Sequence, residues 1–291
     1  MFVFPNSWGV KPEMRLALNV HARRVVLPLF SRVNPGDITV RHSLTGELIR
    51  LHSFRHRGFW YHARTREEGT VELFRRLMCP GDIVIEAGGH IGFMSLLFAD
   101  IVGPGGSVIV FEPGLNNRPY LERNTRSHPE IEVVDMALSH VSGQVDFFIE
   151  NLTGQNNSLF ADYTVFGENQ KSAHVSAEYQ RVRVEAVRLD EFVVARGIRP
   201  DWIKIDIEGA ELQALQGARD TLASQPALMI EVTRNNREVA LELSSMGYIL
   251  FDEDLQQRST ETALIGNIFA LHSVRHSKML AGLGVTSSRF Q

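Results

Sequence analysis

From residue 66 onward the chain alternates short apolar runs with longer helix-spaced ones, and this alternation restricts the fold more than any other feature. EEGTVELFRRLM reads as a helix, DIVIEA as a strand, IGFMSLLFADIV as a helix, SVIVFEP as a strand, NNRPYLERNTRS as a helix and EIEVVDMAL as a third strand. After a polar interval follow WIKIDI, a helix AELQALQGARDTLA, ALMIEV, a helix through Glu238 to Ser245, YILFDE and ALIGNIFALH. Apolar runs this short and this continuous suit strands covered on both faces, and helices between them supply the crossovers of a parallel sheet. The expectation is a doubly wound α/β sheet of seven strands.

The remaining segments are appendages to that sheet. ITVRHS and ELIRLHSF flank Leu44-Thr45-Gly46 as a β-hairpin cap, preceded by an apolar segment over residues 11 to 33 that carries Arg15, Arg23, Arg24 and Arg32. That basic helical segment is read as a docking surface, with a homo-oligomer contact as its expected use. Residues 140 to 187 form an insertion in which GQVDFFIE and RVRVEAV bracket a long polar stretch, as functional loops do. The expected division is residues 1–65 as N-terminal helix and hairpin cap, 66–273 as the main domain and 274–291 as a tail, with no internal repeat.

Composition excludes several classes. A net charge of −4 offers no general attraction to nucleic acid or anionic membranes, so polyanion partners are not expected. Cys79 is the one cysteine, which leaves no intramolecular disulfide and no Cys/His zinc spacing. MFVFPNSWGVKPEMR lacks a basic start followed by an apolar core, and no window approaches the ~18 apolar residues of a membrane span. The cytoplasm is therefore the expected compartment.

The turn after the first strand, Glu86-Ala-Gly88-Gly89-His90-Ile91-Gly92, sits where an open parallel sheet binds its ligand. A dinucleotide fingerprint requires G-x-G-x-x-G, a spacing that this turn does not have, so a nicotinamide oxidoreductase is disfavoured. His90 occupies a position that calls for a left-handed backbone, which His tolerates, and it is read as conformational rather than catalytic. Glu112, followed by Pro113 at the end of the second strand, is placed to accept both hydroxyls of a ribose. Asp135 after the third strand is placed for an adenine amino group, with Met136 and Ala137 beside the ring. Acid, turn and second acid together suit a nucleoside carrying a cationic amino-acid arm, which describes S-adenosylmethionine.

DWIKIDIEGAELQALQGA, residues 201 to 218, is the most specific string. Lys204, Asp206 and Glu208 alternate with Ile203, Ile205 and Ile207, so they share one side of a strand that stops at Gly209. With PGDIVIEAGGHIGFMSLLFA, VGPGGSVIVFEP, GQNNSL and IEV at 230 to 232, this string resembles the FkbM-type S-adenosylmethionine-dependent methyltransferases, over residues 40 to 255. The resemblance implies a seven-stranded Rossmann-like class I methyltransferase sheet and methyl transfer to hydroxyls of sugars or polyketides. Two positions depart from the family pattern: the turn has Glu86 and Gly89-His90 where Asp and Ala-Asn are usual, and Thr233 stands where His is usual.

By resemblance and position, Asp206 and Glu208 are the candidates for general base or acceptor orientation, with Lys204 as electrostatic partner and Glu231 beside them. Asp206, Glu208 and Glu231 also have the donor chemistry to hold Mg²⁺ against a sugar diol. Asn156, Asn157 and Ser158 in the polar insertion are read as acceptor contacts. His52, His56 and His62, with Arg55 and Arg57, lack a partner carboxylate cluster and read as a solvated or substrate-edge surface. The alternative to an enzyme is a nucleoside-binding module without turnover.

Overall fold

The computed structural model describes residues 36–61, 67–151, 153–160, 179–260 and 264–283. The expected oligomer segment at residues 11 to 33 and His62 lie outside the described residues. A break in packing after Arg66 separates two compact units. In the smaller, β1 (Asp37–Arg41) and β2 (Leu48–His52) form an antiparallel hairpin, followed by the short helix α1 (Arg57–Tyr61).

In the larger unit the elements run α2 (Glu68–Leu77), β3 (Ile83–Ala87), α3 (Phe93–Val102), β4 (Ser107–Phe111), α4 (Arg118–Thr125) and β5 (Ile131–Val134). Then come β6 (Ala137–Leu138), β7 (Gly143–Glu150), β8 (Tyr179–Val187), α5 (Leu189–Arg196), β9 (Trp202–Ile205), α6 (Glu211–Gln216) and α7 (Arg219–Ala223). The chain continues with β10 (Ala227–Val232), α8 (Asn236–Ser245), β11 (Tyr248–Phe251), β12 (Gln257–Arg258), β13 (Gly266–His272) and α9 (Ser277–Gly282).

The main sheet has the order β12-β11-β13-β10-β9-β3-β4-β5. All seven expected strands are in it, and the two-residue β12 adds an eighth at the edge. The sheet is mixed rather than wholly parallel, because β13 runs antiparallel between β10 and β11. From β5 through β10 the neighbours are parallel, so their carboxyl ends gather on one edge. That is the class I methyltransferase sheet implied by the resemblance.

Alternation along each strand divides the core in two. Ile85, Ala87, Ile109, Phe111, Ile203, Ile205, Leu228 and Ile230 face one way, in an apolar cluster shared with buried residues of α5 to α8. On the opposite face Phe74 of α2 packs edge-on against Phe98 of α3, Trp202 of β9 and Phe269 of β13, with ring centroids 4.9, 5.6 and 5.4 Å apart. Helices thus cover both faces. Each buried aromatic pair adds about 0.5–1.5 kcal/mol beyond the area removed from water.

Two expected elements are divided. EIEVVDMAL does not form one strand: β5 ends at Val134, and Ala137–Leu138 pairs instead with β8 in a separate three-stranded sheet, β6-β8-β7. The helix over residues 210 to 223 breaks at Gly217, where an added Cβ would lie 2.0 Å from the Ser139 carbonyl oxygen. The absence of a glycine side chain is what lets the two backbones meet.

A repeat is present after all, although it is too short to stand out as a sequence period. LHSFRH at 51 to 56 and LHSVRH at 271 to 276 both link a strand to a short helix. In each, the second histidine's Nδ1 accepts the backbone N–H of the first, at 3.0 Å for His56 and 2.7 Å for His276. His52 and His56 therefore shape the turn. No helix among the described residues is long and apolar enough to cross a membrane.

Candidate functional site

The carboxyl ends of β3, β4, β9 and β10 bring together two groups of residues. The first is built on the turn after β3. Gly88, His90 and Gly92 have φ of 88, 48 and 86°, so the left-handed backbone expected at His90 is present. A Cβ at Gly88 would stand 1.9 Å from the Asp206 carbonyl oxygen, and one at Gly89 would stand 2.2 Å from Val110 Cγ1. The turn is wedged between the second and fourth strands of the parallel set, which no larger side chain permits. Ile91 is fully buried beneath it.

Glu112 ties this turn to the end of β4. Its Oε2 accepts the His90 N–H and its Oε1 the Gly114 N–H, each at 2.8 Å. Burial pushes its pKa up to about 7, against these hydrogen bonds and a further one from Asn117. Asn117 also donates from Nδ2 to the Gly154 carbonyl at 2.8 Å. Its Oδ1 is buried without a hydrogen-bond partner among the described residues. It packs against Gly154, where an added Cβ would lie 2.3 Å from it. Pro113 is half-buried beside it.

Asp135, by contrast, is 66% exposed at its side chain and pairs with Arg118 at 3.1 Å. With Met136, Phe192 and Arg196 it lines an open groove of about 490 Å³ beside β5. Ala137 is buried in the small sheet's core.

The second group surrounds Lys204. Parallel register sets Lys204 opposite Glu86, and both are almost fully buried, at 3% and 1% side-chain exposure. Lys204 Nζ lies 3.0 Å from Asp206 Oδ2 and 3.8 Å from Glu86 Oε1. Burial works against the ammonium, but Asp206, Glu86 and Glu67 outweigh it and hold the pKa above that of an ordinary lysine. Burial pushes Glu86 up to about 7, opposed by Lys204 and by the Ser95 hydroxyl, which donates to Glu86 at 2.5 Å. Glu86 thus already has both a cation and a donor.

Glu231 completes the group. The Asp206 charge, burial and a hydrogen bond to Asp206 raise its pKa well above the usual carboxylate range. The two acids hold a proton between them, as close carboxyl pairs do. Asp206 remains 31% exposed. Glu208 follows with φ of 53°, a left-handed backbone uncommon outside glycine.

Among the described residues no three His, Cys, Asp or Glu side chains are grouped to hold a metal. The cluster does not supply the expected Mg²⁺ ligand set: Asp206 is instead paired with the Lys204 ammonium at 3.0 Å.

Asn157 and Ser158 turn inward. Asn157 Nδ2 donates to Asn116 Oδ1 at 2.7 Å and its Oδ1 accepts the Glu150 N–H at 3.0 Å. Ser158, 1% exposed, donates to the Glu208 carbonyl oxygen at 2.7 Å. Asn156 bonds the Thr153 hydroxyl at 3.3 Å.

Three participants were not anticipated from the sequence: Asn117, Ser95 and Glu211. Asn117 precedes α4 where a helix-capping side chain is usual, yet that side chain reaches Glu112 and Gly154 instead. Glu211 stood inside the most specific string, three residues after Glu208, and its full burial was the missing signal.

A model of the FkbM methyltransferase domain matches residues 86–250. Methyltransferase 1 of Beauveria bassiana is 27% identical over 158 residues, covering 48% of this chain and 60% of that protein. The 2-O-methyltransferase NoeI of Sinorhizobium fredii is 25% identical over 150 residues, covering 49% of this chain and 60% of that protein. The match therefore spans 60% of the length of each of these relatives. The crystal structure of Methyltransferase FkbM from Methylobacillus flagellatus KT aligns with a TM-score of 0.42 at 16% identity, over 69% of this chain and 50% of that one.

Proposed function

The chain belongs to the FkbM methyltransferase family, and from that premise we propose that it is an S-adenosylmethionine-dependent O-methyltransferase acting on a hydroxyl of a carbohydrate or of a glycosylated or polyketide natural product. One observation carries the reading. Two sites of opposite need stand side by side at the strand ends: a buried acceptor, Glu112, beside the glycine turn, and the partly exposed Asp206 beside Lys204. Oxygen is chosen as the accepting atom because the Sinorhizobium relative is a 2-O-methyltransferase and because the cluster is rich in carboxylates able to take a hydroxyl proton.

The residues present fit the cofactor. Glu112 would accept its ribose hydroxyls, and the turn from Gly88 to Gly92 would carry its methionine arm. When bound, S-adenosylmethionine supplies an electrophilic methyl group on a sulfonium.

A carboxylate oxygen of Asp206 would take the acceptor's hydroxyl proton as the methyl group is transferred. Lys204, 3.0 Å away, offsets the charge of Asp206, and the raised pKa of Glu231 limits repulsion next to it. Glu208 orients the acceptor. Isothermal titration with S-adenosylmethionine, followed by a methyl-transfer assay over a glycan panel, tests the reading. No binding at millimolar cofactor would overturn its first half, and binding without transfer to any member would leave a nucleoside-binding module.

A further inference from the structure

The peptide linking Glu208 to Gly209 is held at both of its polar atoms by buried side chains. Its carbonyl oxygen accepts the Ser158 hydroxyl at 2.7 Å, and its N–H donates to Glu211 Oε1 at 2.7 Å. Ser158 is 1% exposed and Glu211 0%. On either side of the peptide the backbone is left-handed, with φ of 53° at Glu208 and 97° at Gly209. A glutamate in that conformation persists only where its surroundings over-determine it.

The two holding groups are themselves fixed from separate directions. Ser158 bridges to Phe148 of β7, with Phe148 N–H to Ser158 O at 2.8 Å and Ser158 N–H to Phe148 O at 3.1 Å. Its hydroxyl oxygen also accepts the Phe160 N–H at 3.1 Å. Glu211 Oε2 accepts the Thr233 hydroxyl at 3.3 Å. A line of hydrogen bonds therefore runs from the small sheet, through one peptide, to the end of β10.

We propose that Ser158 and Glu211 are positioning residues that clamp the Glu208–Gly209 peptide and so aim the Glu208 carboxylate at the acceptor. This inference rests on the reading of Glu208 as the residue that orients the acceptor. It gives the polar insertion a task other than touching substrate: the insertion sets the direction of a carboxylate on β9's carboxyl end. The rotation that frees Glu208 is a flip of one peptide, and a hydroxyl on one side and a carboxylate on the other oppose it together.

Amide hydrogen exchange on the full chain, compared with a kinetic cycle, tests the clamp. In Ser158→Ala the Gly209 amide is expected to exchange about tenfold faster or more, while Ile205 in the sheet is unchanged. Ser158→Thr, which keeps the hydroxyl, restores protection, and it serves as the second variant if alanine impairs folding. With an acceptor that the wild type methylates, Ser158→Ala lowers kcat by about tenfold with the KM for S-adenosylmethionine unchanged, and costs nothing further in a Glu208→Gln background. Unchanged Gly209 exchange, or losses that multiply across the two sites, would overturn the clamp. If the wild type methylates no acceptor, the proposed function fails while the exchange result still decides the clamp.

Discussion

Lys204 and Glu86 face each other across neighbouring parallel strands, 3.8 Å apart and almost wholly removed from water. A first-strand acid that the sequence offers to a ligand's ammonium thus already has an ammonium of the protein's own.

Removing that cation leaves a buried carboxylate unbalanced. Lys204→Met is expected to lose about 3–5 kcal/mol in urea denaturation at pH 8, where Glu86 of the wild type, with a pKa of about 7, is ionised and in the variant has lost the cation that lowers its pKa. At pH 6 the loss shrinks, because the wild-type Glu86 is then protonated too and gains little from Lys204. Adding Glu86→Gln recovers much of the stability, and a Lys204→Met variant as stable as the wild type at pH 8 would show that the pair contributes nothing.

Glu231 gives the opposite pH signature. Its pKa rises from 4.5 to about 9 in the fold, chiefly through Asp206, so over that interval the folded chain holds a proton that the unfolded chain has released. Stability from this group therefore falls as pH rises from about 4.5 to about 9. Glu231→Gln removes the slope: its midpoint denaturant concentration gains on the wild type steadily across that range. Parallel pH curves for the two proteins would refute the shared proton.

Loss of the ribose acceptor should be seen in the dissociation constant. Glu112→Ala is expected to weaken S-adenosylmethionine binding by ~1.5–3 kcal/mol, read by isothermal titration, since hydrogen bonds to a charged group vanish. A dissociation constant unaltered by this change would take Glu112 out of the cofactor site.

The second LHSxRH turn predicts an acid-sensitive C-terminal element. Burial, with Arg275 and His272 nearby, depresses the His276 pKa from 6.5 to about 4, and its neutral Nδ1 accepts the His272 N–H. The stability this provides is complete above pH 6.5 and is lost as pH falls towards about 4, to a total of at most about 3 kcal/mol. His276→Asn presents an acceptor in place of Nδ1 without titrating, so thermal unfolding of that variant should be flatter between pH 6.5 and 4. An equally steep decline would assign the acid sensitivity to other groups.

Much of the main sheet was legible because its strands are short apolar runs and its crossovers are helices, patterns set by neighbours in sequence. The turn at Gly88 to Gly92 was legible for the same reason: a His with φ of 48° between glycines is a local backbone requirement. The third strand was misjudged in extent because Asp135 and Met136 step from one sheet into another, and no local pattern marks which sheet a residue joins. The LHSxRH turns were missed because five matching residues some two hundred apart carry no period, and they became evident only through their matching hydrogen bonds.

The sequence by itself determined which side chains alternate to one face of each strand, and so that Glu86, Lys204 and Glu231 share a face opposite the main apolar cluster. Tertiary structure decided what those side chains meet there. Strand order and register set Glu86 against Lys204, and the small sheet set Ser158 against Glu208. Alternation is a property of one chain segment, whereas register, burial and the pairing of charges depend on segments distant in sequence, and those long-range contacts fix which carboxylates are neutralised and which remain available.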